Sequence, residues 1–114
     1  MSTCIFCRIV SGDIPAKIVH QDEQVVAFED TNAQAPVHLL VIPKRHVTSV
    51  RDCRRGDEAL LGHLLLTCSD VARIKHLTDT GYRIVANTGA DGGQTVSHLH
   101  FHVLGGRPMA WPPG

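Results

Sequence analysis

Between residues 98 and 104 the chain reads His98-Leu99-His100-Phe101-His102-Val103-Leu104. Side chains of a strand alternate between its faces, so residues 97–104 are expected to form a strand with two unlike faces. His98, His100 and His102 share one face. Leu99, Phe101 and Val103 share the other, and they demand a core behind them. From a rise of about 3.3 Å per residue, neighbouring imidazoles stand roughly 7 Å apart at their Cα atoms. The chain holds eight histidines in 114 residues, and this short row takes three of them. Three readings of the row are open. It is an accident on a half-exposed strand. It is a metal site, although consecutive same-face residues supply two ligands more readily than three. Or it is a catalytic row. An imidazole with a pKa of about 6.5 is largely neutral at pH 7 and nucleophilic, so it can attack phosphorus while a neighbouring imidazole moves the proton.

The rest of the chain supplies the core. Residues 56–77 read as the one long helix, because Leu60, Leu61, Leu64, Leu65, Cys68, Val71 and Ala72 recur at helical spacing as one apolar stripe. Asp57 and Glu58 suit its N-terminus, and Lys75 and His76 its C-terminus. Residues 4–10 read as a short apolar turn or helix. Residues 17–20 and 24–29 are β-like around the polar Gln21-Asp22-Glu23, a hairpin pattern. The continuous apolar run within 38–43 is that of a buried strand. Residues 82–87 form a further strand, and 88–94 a glycine-rich loop. The order is α+β: an antiparallel sheet with one main helix packed on it and a short N-terminal helix. With no repeat, linker or low-complexity segment, residues 1–114 are expected to be a single domain.

Eleven Lys and Arg balance eleven Asp and Glu. No broad basic field exists for a nucleic-acid backbone, whereas a small phosphate needs only a few N–H groups and neutral imidazoles. No apolar run is long enough to cross a bilayer, and residues 1–4 lack the basic head and apolar run of a signal peptide. The expectation is a cytoplasmic protein with neither nucleic acid nor membrane as partner. Cysteines there stay reduced. Cys53 and Cys68 look isolated, Cys68 on the helix stripe. Cys4 and Cys7 form a Cys-x-x-Cys pair with zinc-ligand spacing. A redox role asks for a thioredoxin-like βαβ context that this order of elements lacks. Zinc ligation and free thiols stay open.

The row of histidines alternating with apolar residues resembles the motif of the histidine triad (HIT) proteins. The resemblance runs nearly end to end, through Ile5-Phe6-Cys7-Arg8-Ile9-Val10, Ile14-Pro15-Ala16-Lys17, Ala35-Pro36-Val37-His38, Val41-Ile42-Pro43-Lys44, Gly92-Gly93-Gln94-Thr95 and Leu104-Gly105-Gly106-Arg107. The ending Trp111-Pro112-Pro113-Gly114 resembles the histidine triad nucleotide-binding branch. The resemblance implies a HIT-like α+β fold with an antiparallel sheet of about five strands. It also implies a purine nucleotide ligand, a homodimer, and hydrolysis of purine nucleoside 5′-phosphoramidates or related nucleoside monophosphate conjugates through a covalent nucleotidyl-histidine. Hydrolysis of dinucleoside polyphosphates is the alternative chemistry. A nucleotide-binding interaction module with little turnover is the alternative from another class.

Residue by residue, the resemblance makes His100 the nucleophile, with its other ring nitrogen donating to a backbone carbonyl. His102 contacts the phosphate or assists the leaving group, His38 is the fourth histidine of the site, and Thr95 offers a hydroxyl to the phosphate. Asn87 and Gln94 line the phosphate end, and N–H groups of the loop around Gly93 are expected to donate to it. Asp30 accepts from the ribose hydroxyls, although by itself it reads as a turn-forming Asp. Ile5, Phe6, Ile9 and Phe28 form the apolar pocket for the base, positions that otherwise read as core. Trp111 helps shape the partner's site in a dimer, because a lone tryptophan in a Pro-rich tail is commonly an interface anchor. Some bacterial-type members bind zinc through the leading cysteine pair, the histidine after Pro-Lys-x and the first histidine of the triad. In this sequence these are Cys4, Cys7, His46 and His98, a closed and structural Zn²⁺ set. No catalytic cofactor is implied.

Overall fold

Asp22 starts the sheet by closing a hairpin. Its carboxylate accepts from the backbone N–H groups of Gln24 (2.8 Å) and Val25 (3.0 Å), an Asx-type turn. The turn joins β1 (Ile18–Gln21) to β2 (Val25–Glu29). The computed structural model describes residues 2–114. It continues with β3 (Val37–Pro43), β4 (Tyr82–Val85) and β5 (Phe101–Gly105). All pairings are antiparallel, in the spatial order β1-β2-β3-β5-β4. Two helices complete the α+β fold: α1 (Ile5–Val10) and α2 (Glu58–Ile74). Among the described residues, no helix is long and apolar enough to cross a membrane.

The period of two along the strands divides the sheet into unlike faces. Val25 and Ala27 of β2, Leu39 and Val41 of β3, and Phe101 and Val103 of β5 pack with Leu60, Leu64, Cys68, Val71 and Ala72 of α2. The opposite face presents Val26, Phe28, Leu40 and Ile42, and Phe6 of α1 covers it. Burying side chains of this size contributes about 1.5–3 kcal/mol each, so both helices are held by apolar area. Leu99 joins the α2 side, as the alternation in the histidine row requires.

Three elements differ from expectation. The long helix begins at Glu58, after a 3-10 turn at Arg55–Asp57. Its buried stripe includes Thr67, whose hydroxyl donates to the His63 carbonyl at 2.7 Å, whereas Leu65 turns outward at 46% exposure. Leu65 lies one residue, about 100° of helix, past the centre-facing Leu64. The fourth strand stops at Val85, because Asn87 turns to donate its side-chain amide to Gly92 O at 2.6 Å. The histidine strand is the largest difference. Ladder pairing covers Phe101–Gly105, so only His102 of the three histidines lies in it. The neighbouring β3 ends at Pro43, which has no N–H to give a ladder. Its carbonyl is taken by the His98 ring at 2.8 Å, while Leu99 N–H reaches past β3 to Val47 O.

Candidate active site and metal cluster

Alternation on β3 and β5 puts His38, Leu40 and His102 on the face away from α2. Register pairs Leu40 with His102 and His38 with Leu104, so the two imidazoles are diagonal neighbours within side-chain reach. Between this face and α1 lies a cavity of about 440 Å³, within the usual size of small-ligand sites. Its apolar lining includes Ile5, Phe6, Ile9, Phe28 and Leu40, and its polar lining includes Asp30, Thr95, His38, His100 and His102.

The backbone assigns the protons of these rings. The Gln34 N–H donates to His38 Nδ1 at 3.0 Å, so neutral His38 carries its proton on Nε2. That nitrogen lies 2.8 Å from His102 Nδ1 and 3.3 Å from Asp30 Oδ2. His102 Nδ1 therefore accepts, and its own proton sits on Nε2. Burial lowers the His38 pKa against the pull of Asp30. Burial, with the neighbouring His100 and His38 charges, lowers His102 to about 4. Both rings are neutral at pH 7, as these tautomers require. His100 Nδ1 lies 2.7 Å from the His98 carbonyl. A carbonyl only accepts, so Nδ1 donates, and neutral His100 keeps a bare lone pair on Nε2.

His98 belongs to a second cluster. Its Nε2–H donates to Pro43 O at 2.8 Å, which leaves Nδ1 unprotonated beside Cys4 Sγ (3.3 Å) and Cys7 Sγ (3.5 Å). His46 Nδ1 is 3.2 Å from Cys7 Sγ. The four donor atoms of Cys4, Cys7, His46 and His98 all lie within 4.8 Å of one another. A tetrahedral zinc with bonds of about 2.3 Å to sulfur and about 2.0–2.1 Å to nitrogen sets such ligands roughly 3.5 Å apart. The residues fit that ion. Burial and Cys4 raise the Cys7 thiol above its ordinary pKa, so a metal must displace its proton. Asp30, His38 and His102 form a similarly tight group. There the His38 Nε2 that faces its neighbours holds a proton and has no lone pair for a metal.

The other expected site residues lie elsewhere. Gln94 braces its own loop: its amide donates to Thr48 O (2.7 Å) and Val96 O (3.0 Å) and accepts from Gly89 N–H (3.0 Å). The N–H groups of Gly93 and Gln94 close the turn on Ala90 O and Gly89 O, each at 3.0 Å, so these two are engaged inside the loop rather than presented to the cavity. Gly93 has φ +75°, a conformation glycine adopts without strain. Asn87, Gly93, Gln94 and Trp111 are not among the residues lining the main cavity. Trp111 is 82% exposed, on a tail tied to β4 by Arg83, whose guanidinium donates to Ala110 O at 2.7 Å. Sequence reasoning missed Leu40 and Gln34. Alternation from His38 points to Leu40, whereas Gln34 acts through its backbone N–H and carries no side-chain signal.

Fold and site together define a small α+β protein with a histidine-lined cavity beside a Cys₂His₂ cluster. Residues 11–109 match the HIT domain family. The chain is 54% identical over 110 residues to an uncharacterized HIT-like protein of Synechococcus elongatus, covering 96% of each. It is 51% identical over 110 residues to another from Synechocystis, again covering 96% of each. Among solved structures it is similar to a HIT family hydrolase from Legionella pneumophila, with TM-score 0.96 and 46% identity over 98% of this chain and 100% of that one. It is also similar to a histidine triad protein from Clostridium difficile, with TM-score 0.93 and 40% identity over 96% of each. The chain belongs to the HIT domain family.

Proposed function

We propose that residues 1–114 act as one domain of the histidine triad nucleotide-binding branch, a cytoplasmic hydrolase of purine nucleoside 5′-phosphoramidates or related nucleoside monophosphate conjugates. The observation that carries this reading is the 2.7 Å contact from His100 Nδ1 to His98 O, because it leaves a lone pair on Nε2 in a residue that lines the cavity. Ile5, Phe6, Ile9 and Phe28 hold the base, and Asp30 accepts from the ribose hydroxyls. His100 Nε2 attacks the α-phosphorus, forming a P–N bond as the bond to the amine breaks. The amine leaves with one proton drawn from solvent water, while His102 Nε2–H donates a hydrogen bond to the phosphate or the leaving nitrogen. Water then breaks the nucleotidyl–His100 bond and returns one proton to solvent. His38 holds His102 in the donating tautomer, and Thr95 offers its hydroxyl to the phosphate. This chemistry calls on no catalytic cofactor. Cys4, Cys7, His46 and His98 would hold zinc, which supplies rigidity rather than reaction chemistry.

The reading includes a two-fold homodimer with Trp111 completing the partner's site. The exposed Trp111 ring, Leu66 at 67% exposure and the outer position of β4 support a partner surface. Asn87, Gly93 and Gln94 then act by shaping the loop that leads to Thr95. Incubation with adenosine 5′-phosphoramidate, acid-free quenching and peptide mass mapping test the chemistry. An adenylyl adduct on His100 is expected, and turnover without any adduct overturns the covalent route. Sedimentation at micromolar concentration is expected to give a dimer, and a monomer there overturns the role of Trp111.

A further inference from the structure

Helix α1 is six residues long, too short to persist in water by itself. Two kinds of contact hold its first turn. Cys4 caps it, with Sγ accepting the Cys7 N–H at 3.3 Å, and both thiols meet the imidazoles of the metal cluster. Between these cysteines in sequence stands the buried Phe6. Its ring is edge-on to Phe28 (5.7 Å between centroids), to His98 (5.9 Å) and to His100 (5.1 Å). One ring therefore touches a residue of the cavity lining, a member of the metal cluster and the nucleophile proposed above. Ile5 and Phe6 themselves line the cavity.

We propose that a metal at the Cys4–Cys7–His46–His98 cluster and a nucleotide in the cavity bind cooperatively through the first turn of α1. Without the ion, that turn is tied to His46 and His98 by sulfur–nitrogen contacts of 3.2–3.5 Å and by the Phe6 ring against His98. A metal held by Cys4 and Cys7 together with His46 and His98 would fix it, and with it the orientation of Ile5 and Phe6. A nucleotide that binds the ordered turn pays less conformational entropy. By reciprocity, the bound nucleotide raises the affinity for the metal by the same factor. The proposal rests on the reading of the cavity as a nucleotide site.

The test uses the metal-loaded protein and measures the equilibrium partition of zinc between it and a competing colorimetric chelator. Calorimetry first establishes AMP binding and finds the saturating concentrations of AMP and of ribose 5-phosphate. Saturating AMP is expected to raise the zinc affinity at least about fivefold, the lower end of ordinary site coupling. Ribose 5-phosphate reaches Asp30 and the histidines but has no base to meet Ile5 and Phe6, so it raises the affinity less than twofold by the same logic. Phe6→Leu, at its own saturating AMP concentration, shrinks the AMP effect. Equal zinc affinity with and without AMP overturns the coupling while leaving the nucleotide site standing. An equal gain with both ligands overturns the route through α1. Absence of AMP binding to the metal-loaded protein defeats the nucleotide reading and the coupling with it.

Discussion

The two ends of the histidine row are built from the same side chain and do opposite things. At the Cys4–Cys7 end, a backbone carbonyl, Pro43 O, takes the Nε2 proton of His98 and turns an unprotonated Nδ1 towards two sulfurs. At the other end, a backbone N–H, that of Gln34, takes the Nδ1 lone pair of His38 and turns a protonated Nε2 towards His102. One end therefore offers a set of donor atoms that could hold a metal, and the other is a chain of directed hydrogen bonds. His98 joins them, since its ring belongs to the first and its carbonyl orients His100 in the second. A histidine's chemistry is set by whichever backbone group claims its far nitrogen.

The largest expected effect separates nucleophile from pocket. His100→Ala lowers kcat/KM for adenosine 5′-phosphoramidate by about 10⁴-fold or more, while AMP affinity by calorimetry changes only a few-fold. Retention of a tenth of wild-type turnover would remove His100 from its role. The metal end is expected to respond the other way. Cys7→Ser loses a tie that is part of the fold, about 3 kcal/mol, or roughly 10–15 °C in Tm at about 4 °C per kcal/mol for a domain of this size. At a temperature where the variant stays folded, kcat changes little and KM rises. A collapsed kcat with unchanged Tm would erase the distinction between the two ends.

A pH experiment reads the relay end through His102, and the His102→Gln comparison separates it from His98, which burial lowers with the same sign. His102 is held down to about 4, chiefly by burial, against about 6.5 in an unfolded chain. As pH falls below about 6.5, the unfolded chain takes up this proton first, so stability is lost progressively down to about pH 4 and is complete above about 6.5. The shift corresponds to about 3 kcal/mol at most. Burial lowers His38 with the same sign. Urea unfolding of wild type and His102→Gln across pH 4–7 isolates the contribution. The wild-type slope is expected to be the steeper. Parallel curves would show that His102 titrates as an ordinary surface imidazole.

Much of the fold was legible because burial leaves a periodic trace. Leu99, Phe101 and Val103 are buried as their alternation requires, and the sheet with one main helix follows from a few runs of apolar residues. The extent of pairing was not legible. It depends on where β3 stops, which is a property of Pro43 and its neighbours rather than of the histidine row. The loop's place before the histidine row pointed to its N–H groups as phosphate donors, and the resemblance put Gln94 at the phosphate end, yet the N–H groups of Gly93 and Gln94 close their own turn. At the site, Cys4, Cys7, His46 and His98 converge across 94 residues of chain, and spacing alone singled out only the cysteine pair. The family resemblance named the other two. The family resemblance led to the expectation that the His100 ring donates to a backbone carbonyl, and His98 O is in place to accept it. The tautomers of His38, His98 and His102 were illegible, since Gln34 N–H and Pro43 O are backbone atoms without a side-chain signal.

The smallest expected effect asks whether the proton chain matters once the nucleophile and the pocket are intact. His38→Leu removes the ring's contacts with Gln34 N–H, His102 Nδ1 and Asp30 Oδ2. The Gln34 N–H loses its acceptor, and His102 Nδ1 loses the donor that keeps its proton on Nε2. One oriented hydrogen bond in a buried site contributes about 1.5–3 kcal/mol when a reacting group depends on it, so kcat is expected to fall about 10–100-fold. KM should move much less, because Ile5, Phe6, Ile9 and Phe28 remain. His38→Gln keeps an amide N–H near His102 Nδ1 and should recover part of the loss. Nitrogen NMR of the imidazoles gives the readout that a merely structural role would not move. Wild-type His102 is expected as the Nε2–H tautomer, the Leu variant as a mixture, and the Gln variant in between. If the Leu variant keeps kcat within twofold of wild type, or if His102 stays in one tautomer without His38, the directed chain of protons is incidental. The contrast between the two ends of the row would then reduce to the presence of sulfur.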